Sequence, residues 1–173
     1  MVFSRWPIDS ISSIKLPYIG HSIYRVLVRH PQQPIVIYCC HLTSNLLMLS
    51  SDKWGGLKEG YRNRTLEADA IYEALQHESY PVIVMGDMND DPTNKSMTEC
   101  MSCKPEIDKV GPDDMYNPWY NILAKEGRGT LAYGGSWNLF DQIVMTPNML
   151  NKKGSKDFST LKFWKHHIFS RPY

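Results

Sequence analysis

The sequence has no long apolar run and almost no excess of charge of either sign, and each absence removes a class of function. Nothing approaches the roughly 20 consecutive apolar residues needed to cross a bilayer, so no membrane span is expected. The opening MVFSRWPIDS has no apolar core and no cleavage pattern; no signal peptide is visible, and the cytoplasm is the default expectation. Nineteen Lys and Arg stand against 18 Asp and Glu, a net charge of +1, which excludes a whole-molecule electrostatic grip on nucleic acid. The charge is uneven: residues 151–173 are basic, a composition that suits either phosphate contact or a solvated surface. Cysteine is scarce, with four in 173 residues. Cys39 and Cys40 are adjacent in a strand-like run, so their side chains should point to opposite faces. Cys100 and Cys103 form a lone Cys-x-x-Cys with no second pair to complete a zinc site. Reduced structural thiols are expected. No repeat, low-complexity tract or linker divides the chain, which is long enough for one domain over residues 1–173 with a sizeable core.

What is present is a set of short apolar segments that end in polar residues. HSIYRVLVRH alternates as a strand does, PQQP reads as a hairpin tip, and IVIYCCHL reads as a strand buried on both faces. Residues 44–60, with Gly55, Gly56 and Gly60, read as a loop. YRNRTLEADAIYEALQHE predicts a helix with Leu66, Ala70, Ala74 and Leu75 on one face, and Pro81 follows its end. PVIVMGDMNDDP then gives a second buried strand. A strand–helix–strand crossover of this kind makes the two strands parallel. Residues 91–128 read as surface loops with one short helix near Ser96–Met101. GTLAYGGSWNLFDQIVMTP predicts two strands around a Gly-Gly turn, and STLKFWKHHIF a further strand.

Carboxyl ends of parallel strands are where α/β sheets build sites. Asp87 and Asn89 are two residues apart and would face one way if the strand continues; a carboxylate beside a carboxamide can hold a hard cation, a water or a phosphate. The plainer reading of Gly-Asp-Met-Asn is a turn. His41 ends the neighbouring strand, where a histidine serves either structure or catalysis. Asp141 lies inside the apolar run NLFDQIVM and is expected to be buried and paired, or else to face the surface. Polar residues of these types on strand ends fit metal-assisted phosphoester hydrolysis.

VIVMGDMND, CCHLTS and WNLFDQIVM, together with the opening FSRWPI, resemble the endonuclease/exonuclease/phosphatase family. That family includes pancreatic-type DNases, abasic-site endonucleases, sphingomyelinases and inositol-phosphate phosphatases. The resemblance covers nearly the whole chain and implies a DNase I-like α/β fold, a four-layer sandwich of two mixed sheets flanked by helices. It implies that Asp87 orients or deprotonates the attacking water and that Asn89 fixes the water, the phosphate or a metal ion. His41 would donate to the phosphate, and Asp141 would support the imidazole of a second, later histidine. Mg²⁺ or Mn²⁺ would sit on hard oxygens, with Asp87 and Asn89 as ligands. A phosphoester, including nucleic acid, would be the substrate. Arg64 and Arg62 would reach a phosphate, and Trp137, Trp54, Trp119 and Tyr116 would stack on a base or ring; as alternatives they cap a solvated face or anchor loops.

The chain also departs from the family pattern. No Gln-Glu dipeptide and no Ser-Asp-His occur, the sequences that carry the family's principal metal-ligating Glu and its second catalytic His. His166 and His167 are not that motif and read as surface residues. The expectation is the central portion of such a domain, cut at both ends, with a weak metal site. Two functions follow: a piece of a metal-dependent, nuclease-like phosphoesterase, or a catalytically inactive remnant that binds with the same polar cleft.

Overall fold

The computed structural model describes residues 3–17, 20, 22–44, 53–150 and 162–169, with the side chains of 53–56 outside that description. Its elements in chain order are β1 (Ile8–Lys15), β2 (Ser22–Val28), β3 (Ile35–His41), α1 (Lys53–Leu75), β4 (Val82–Asp87), β5 (Cys103–Lys104), β6 (Met115–Tyr116), α2 (Trp119–Glu126), β7 (Leu131–Tyr133), β8 (Ser136–Asn138) and β9 (Asp141–Met145). Seven strands form one mixed sheet in the order β1-β2-β3-β4-β9-β6-β5, and β7 and β8 form a separate two-stranded ribbon. The expected sandwich of two mixed sheets is therefore represented, among the described residues, by one large sheet and one small one.

The crossover from β3 through α1 to β4 makes those strands parallel, as the sequence predicts. β3 and β4 are Val- and Ile-rich, and Val36, Tyr38, Val82 and Val84 are buried beneath Ala68, Ile71 and Leu75 of α1. Each buried valine, isoleucine or leucine among them contributes about 1.5–3 kcal/mol of burial energy. The opposite face of the sheet is more open, with Ile11, Tyr24, Met85 and Ile143 all substantially exposed.

Several sequence expectations shift. α1 begins at Lys53 and absorbs Gly55, Gly56 and Gly60, which read as loop residues from the sequence; residues 45–52 lie outside the described set. Tertiary packing overrides the intrinsic cost of glycine in a helix, and Gly60 is itself buried. The inward face of α1 carries Arg64, Glu67, Ala68, Ile71 and Leu75, while Leu66 is 46% exposed. The helix is rotated from the expected face because two charged residues lie inward. The opening segment that resembles the family enters the sheet only from Ile8, where β1 begins. Residues 162–169 form no strand; they lie along the core, where Phe163 meets Tyr116 edge-on at 5.3 Å. The expected short helix appears as a π-turn at Ser96–Cys100. The span 91–128 also holds α2, which ends on Gly127 in the left-handed conformation and buries Trp119 and Ile122. All four cysteines are free thiols, and burial pushes the Cys40 and Cys103 thiols far up.

Two local devices hold the sheet. At Gly86 φ is +146°, and a Cβ would lie 1.8 Å from the Cys40 carbonyl oxygen of β3. The side-chain-free residue lets β4 approach β3 next to their shared end. Near the other end, Arg25 of β2 grips Glu78 with two nitrogens at 2.5 and 2.8 Å, and the Tyr38 hydroxyl donates to the same carboxylate at 2.7 Å. Burial alone would raise the Glu78 carboxyl, but the hydrogen bonds from Arg25 and Tyr38 outweigh it and hold it below its usual range.

Gly86→Ala is expected to cost about 3 kcal/mol or more, because backbone must move to admit the methyl group; urea denaturation measures it. A carboxyl depressed in the folded state contributes stability above its unfolded pKa, and that contribution is lost as pH falls through the folded value. Unfolding free energy should therefore decline below the ordinary carboxyl value of 4.5, and Glu78→Gln should remove part of that decline.

Candidate active site

β3 and β4 run side by side and finish together, with His41 opposite Asp87; β9 runs the other way and begins there, with Asp141 opposite Asp87. Residues in register on neighbouring strands share a face, so His41, Asp87 and Asp141 form a row across three adjacent strands at one end of the sheet. His41 Nε2 lies 3.7 Å from Asp87 Oδ2, too long for a hydrogen bond but close enough for electrostatic attraction when the imidazole is protonated. The two side chains are 73% and 38% exposed, so the row is open to a ligand.

Asn89 follows on a tight turn. Its φ is +47°, a conformation asparagine tolerates better than most residues. Asp87 Oδ1 accepts the Asn89 N–H at 2.8 Å, and Asn89 Nδ2 donates to the Leu42 carbonyl at 2.8 Å. The Leu42 N–H in turn donates to the Asp87 carbonyl at 2.9 Å. The plain turn reading and the functional reading of Gly-Asp-Met-Asn are thus compatible: the turn fixes the carboxylate and ties it to the residue after His41.

Asp141 departs from the buried position considered for it. It is exposed, and its N–H donates to Thr130 Oγ1 at 3.2 Å. Strand alternation assigns the inward place to Gln142, which is 1% exposed. Gln142 Nε2 donates to the carbonyls of Asp90 at 2.8 Å and Leu139 at 3.0 Å, and its Oε1 accepts from Asn117 Nδ2 at 2.8 Å. Among the described residues the Asp141 carboxylate has no histidine partner. His166 packs instead against Trp119, ring centroids 5.5 Å apart, and is half-buried rather than a surface residue; His167 is exposed.

Arg64 does not reach a substrate phosphate in this structure. It lies in the interior of α1, 2% exposed, with Nη1 donating to the Thr43 carbonyl at 3.0 Å and Nε 3.5 Å from Asp90 Oδ2. Arg62 is exposed on the same helix. Of the aromatic candidates, Trp119 is a core anchor whose Nε1 donates to the Ile143 carbonyl at 2.9 Å, and Tyr116 is buried. The Trp54 side chain lies outside the described residues. Trp137 is 52% exposed on the β7–β8 ribbon. The ribbon's base is tied to the site, since Thr130 bonds both the Asn138 carbonyl and the Asp141 N–H.

The turn continues into two further acids that sequence reasoning passed over. Asp90 is buried and accepts from Asn94 Nδ2 at 2.5 Å and Ser96 Oγ at 2.6 Å. Asp91 accepts the Leu139 N–H at 2.8 Å. Burial raises the Asp91 carboxyl, the Leu139 N–H lowers it, and neighbouring Asp90 adds to the rise, leaving it above its usual range. The available signal was density: three acids in Asp-Met-Asn-Asp-Asp exceed what one turn uses.

The donor set tests the expected metal. Mg²⁺ takes six oxygens in near-ideal geometry, usually with one or two carboxylates. Among the described residues no three of His, Cys, Asp and Glu stand close enough together to share an ion. Asp87 would offer one carboxylate and Asn89 its Oδ1, so an ion held by these two would take most of its six oxygens from water and substrate.

Comparison with known proteins agrees with the fold. The family model described as the Endonuclease/Exonuclease/phosphatase family matches residues 50–173, more than half the chain, and the protein belongs to that family. Its fold is DNase I-like, as in several solved structures. Truncated Caenorhabditis elegans TDP2 superposes with a TM-score of 0.53 at 12% identity, over 82% of this chain and 53% of that one. D. rerio TDP2 complexed with single-strand DNA product gives 0.52 at 15%, over 80% and 52%. An endonuclease/exonuclease/phosphatase from Beutenbergia cavernae gives 0.53 at 18%, over 84% and 39%. The chain spans about half the length of the first two and less of the third. No curated protein sequence matches it. Among the described residues no helix is long and apolar enough to cross a membrane.

If Asp87 fixes the turn, Asp87→Ala should release the Asn89 amide and raise its hydrogen-exchange rate about tenfold, with the interior of β4 unchanged. Two-dimensional NMR exchange measures both together.

Proposed function

We propose that this chain contributes the central residues of a phosphoester hydrolase site, nuclease-like, in which water attacks phosphorus in line with the leaving group. One observation carries the reading: His41, Asp87 and Asp141 occupy one row across three adjacent strands, with Asn89 braced beside them. Family membership supports the same chemistry.

In this reading Asp87 takes a hydrogen bond or a proton from the attacking water. Its Oδ1 already holds the Asn89 N–H, so Oδ2, the atom facing His41, is the one that acts. His41 donates to a phosphate oxygen and stabilises the charge that develops there. Asn89 commits one Nδ2 hydrogen to Leu42; its second N–H and its Oδ1 serve water or phosphate. Asp141, exposed beside Asp87, keeps the row negative and holds a proton-bearing group in place. Trp137 stacks on a base or ring of the substrate. Single-stranded nucleic acid is the favoured substrate class, by likeness to a neighbour whose structure contains single-strand DNA product.

A second reading has its own support. Among the described residues no three acidic, imidazole or thiol side chains gather closely enough to share an ion, which supports a polar cleft that binds a phosphoester without cleaving it.

Assay on bis-p-nitrophenyl phosphate and single-stranded DNA, with and without Mg²⁺, separates the two. Turnover that falls about 100-fold or more in both Asp87→Ala and His41→Gln is the expected result. Binding without turnover, weakened by the same changes, would leave the second reading in its place.

A further inference from the structure

Two charged residues lie on the inward face of α1 where apolar ones would serve packing better. Arg64 is 2% exposed and Glu67 is 1% exposed, one helical turn apart. Burying charge is costly unless geometry is good and partners are present, so what these two hold is informative. Both hold Thr43. Glu67 Oε2 accepts the Thr43 N–H at 2.8 Å, and Arg64 Nη1 donates to the Thr43 carbonyl at 3.0 Å. Thr43 lies two residues beyond His41, where β3 has already ended and no ladder continues. Arg64 then reaches the other side: its Nε lies 3.5 Å from Oδ2 of Asp90, the residue after Asn89. Asp90 is fixed in turn by Asn94 and Ser96, and its carbonyl receives Gln142 of β9.

We propose that Arg64 and Glu67 are positioning residues: from behind the sheet they clamp the chain after His41 to the chain after Asp87, and so set the spacing of the site row. The proposal rests on His41 and Asp87 being the working residues, but the clamp is readable without catalysis. Two hydrogen bonds to one peptide position restrain the strand end against fraying. The guanidinium spans both strand-end segments, something a single apolar side chain cannot do, and an ammonium does less well because it lacks the planar fork. The Leu42–Asp87 and Asn89–Leu42 hydrogen bonds close the same junction on the site side.

The test is amide hydrogen exchange on the whole chain by NMR. In Arg64→Met the Leu42 and Asn89 amides should exchange about tenfold faster, with Ile37 and Val84 in the strand interiors unchanged. A uniform increase at all four positions, or none, overturns the proposal, because a generic core charge predicts the first and an idle one the second. If Arg64→Met does not fold, the Glu67 pair decides. Glu67→Gln keeps an acceptor for Thr43 and should leave Leu42 exchange nearly unchanged, whereas Glu67→Leu should raise it about tenfold. Equal behaviour of the two overturns the clamp. These readouts are independent of turnover, so a chain that hydrolyses nothing can still pass or fail them. In a chain that does hydrolyse phosphoesters, Arg64→Met should lower kcat with little change in KM.

Discussion

The close approach of Gly86 to the Cys40 carbonyl sets the spacing on which the rest of the site depends. β3 and β4 are parallel, so their ends coincide only if their register is held, and the last pair of that register is His41 with Asp87. A side chain at position 86 would separate the strands at the point where they present those residues. Everything beyond the strand ends inherits this geometry. The Leu42 N–H finds the Asp87 carbonyl, the Asn89 amide finds the Leu42 carbonyl, and Met88 bonds the Phe140 carbonyl just before β9.

The site is open on one side and dense with buried polar groups on the other. Behind His41, Asp87 and Asp141 lie Arg64, Glu67, Asp90, Gln142 and Asn117, all nearly inaccessible to water. Buried polar groups of this number weaken a core unless they are mutually satisfied. Here they connect α1, the turn after β4, and β9 into one network, and their common product is the fixed position of three strand-end segments. Apolar burial holds the sheet together, while the polar network fixes where that end of the sheet points.

The chain belongs to the Endonuclease/Exonuclease/phosphatase family and has its DNase I-like fold. The chain corresponds to about half of the solved relatives' length, and under the proposed reading the described residues would orient water and face phosphate. The open sheet face bearing Tyr24, Met85 and Ile143 continues from the same side as the site row. An apolar surface beside a polar edge is the arrangement by which a sheet both anchors a second layer and leaves its rim accessible.

The sequence by itself determined the strand–helix–strand crossover, the parallel pairing and the polar strand ends. Those follow from short apolar runs, a helical period and glycine at a turn, all of which are local. It also carried the Gly-Asp-Met-Asn turn and the Gly-Gly hairpin. It did not determine which alternate residue of β9 faces inward: Asp141 was open to a buried or a surface position, and the structure puts it outside and Gln142 inside; a strand of period two reads equally well in either phase until its neighbours are known. It did not reveal that α1 turns Arg64 and Glu67 inward, because a charged residue is read as exposed unless a partner is known. Their partners, Thr43 and Asp90, lie more than 20 residues away in the chain on separate loops. Short α2 escaped for a similar reason: eight residues carry too little periodicity, and burial of Trp119 against β9 stabilises what local propensity does not. Only the tertiary structure brought these distant groups together, since the energy that fixes them comes from contacts the chain makes after it has folded.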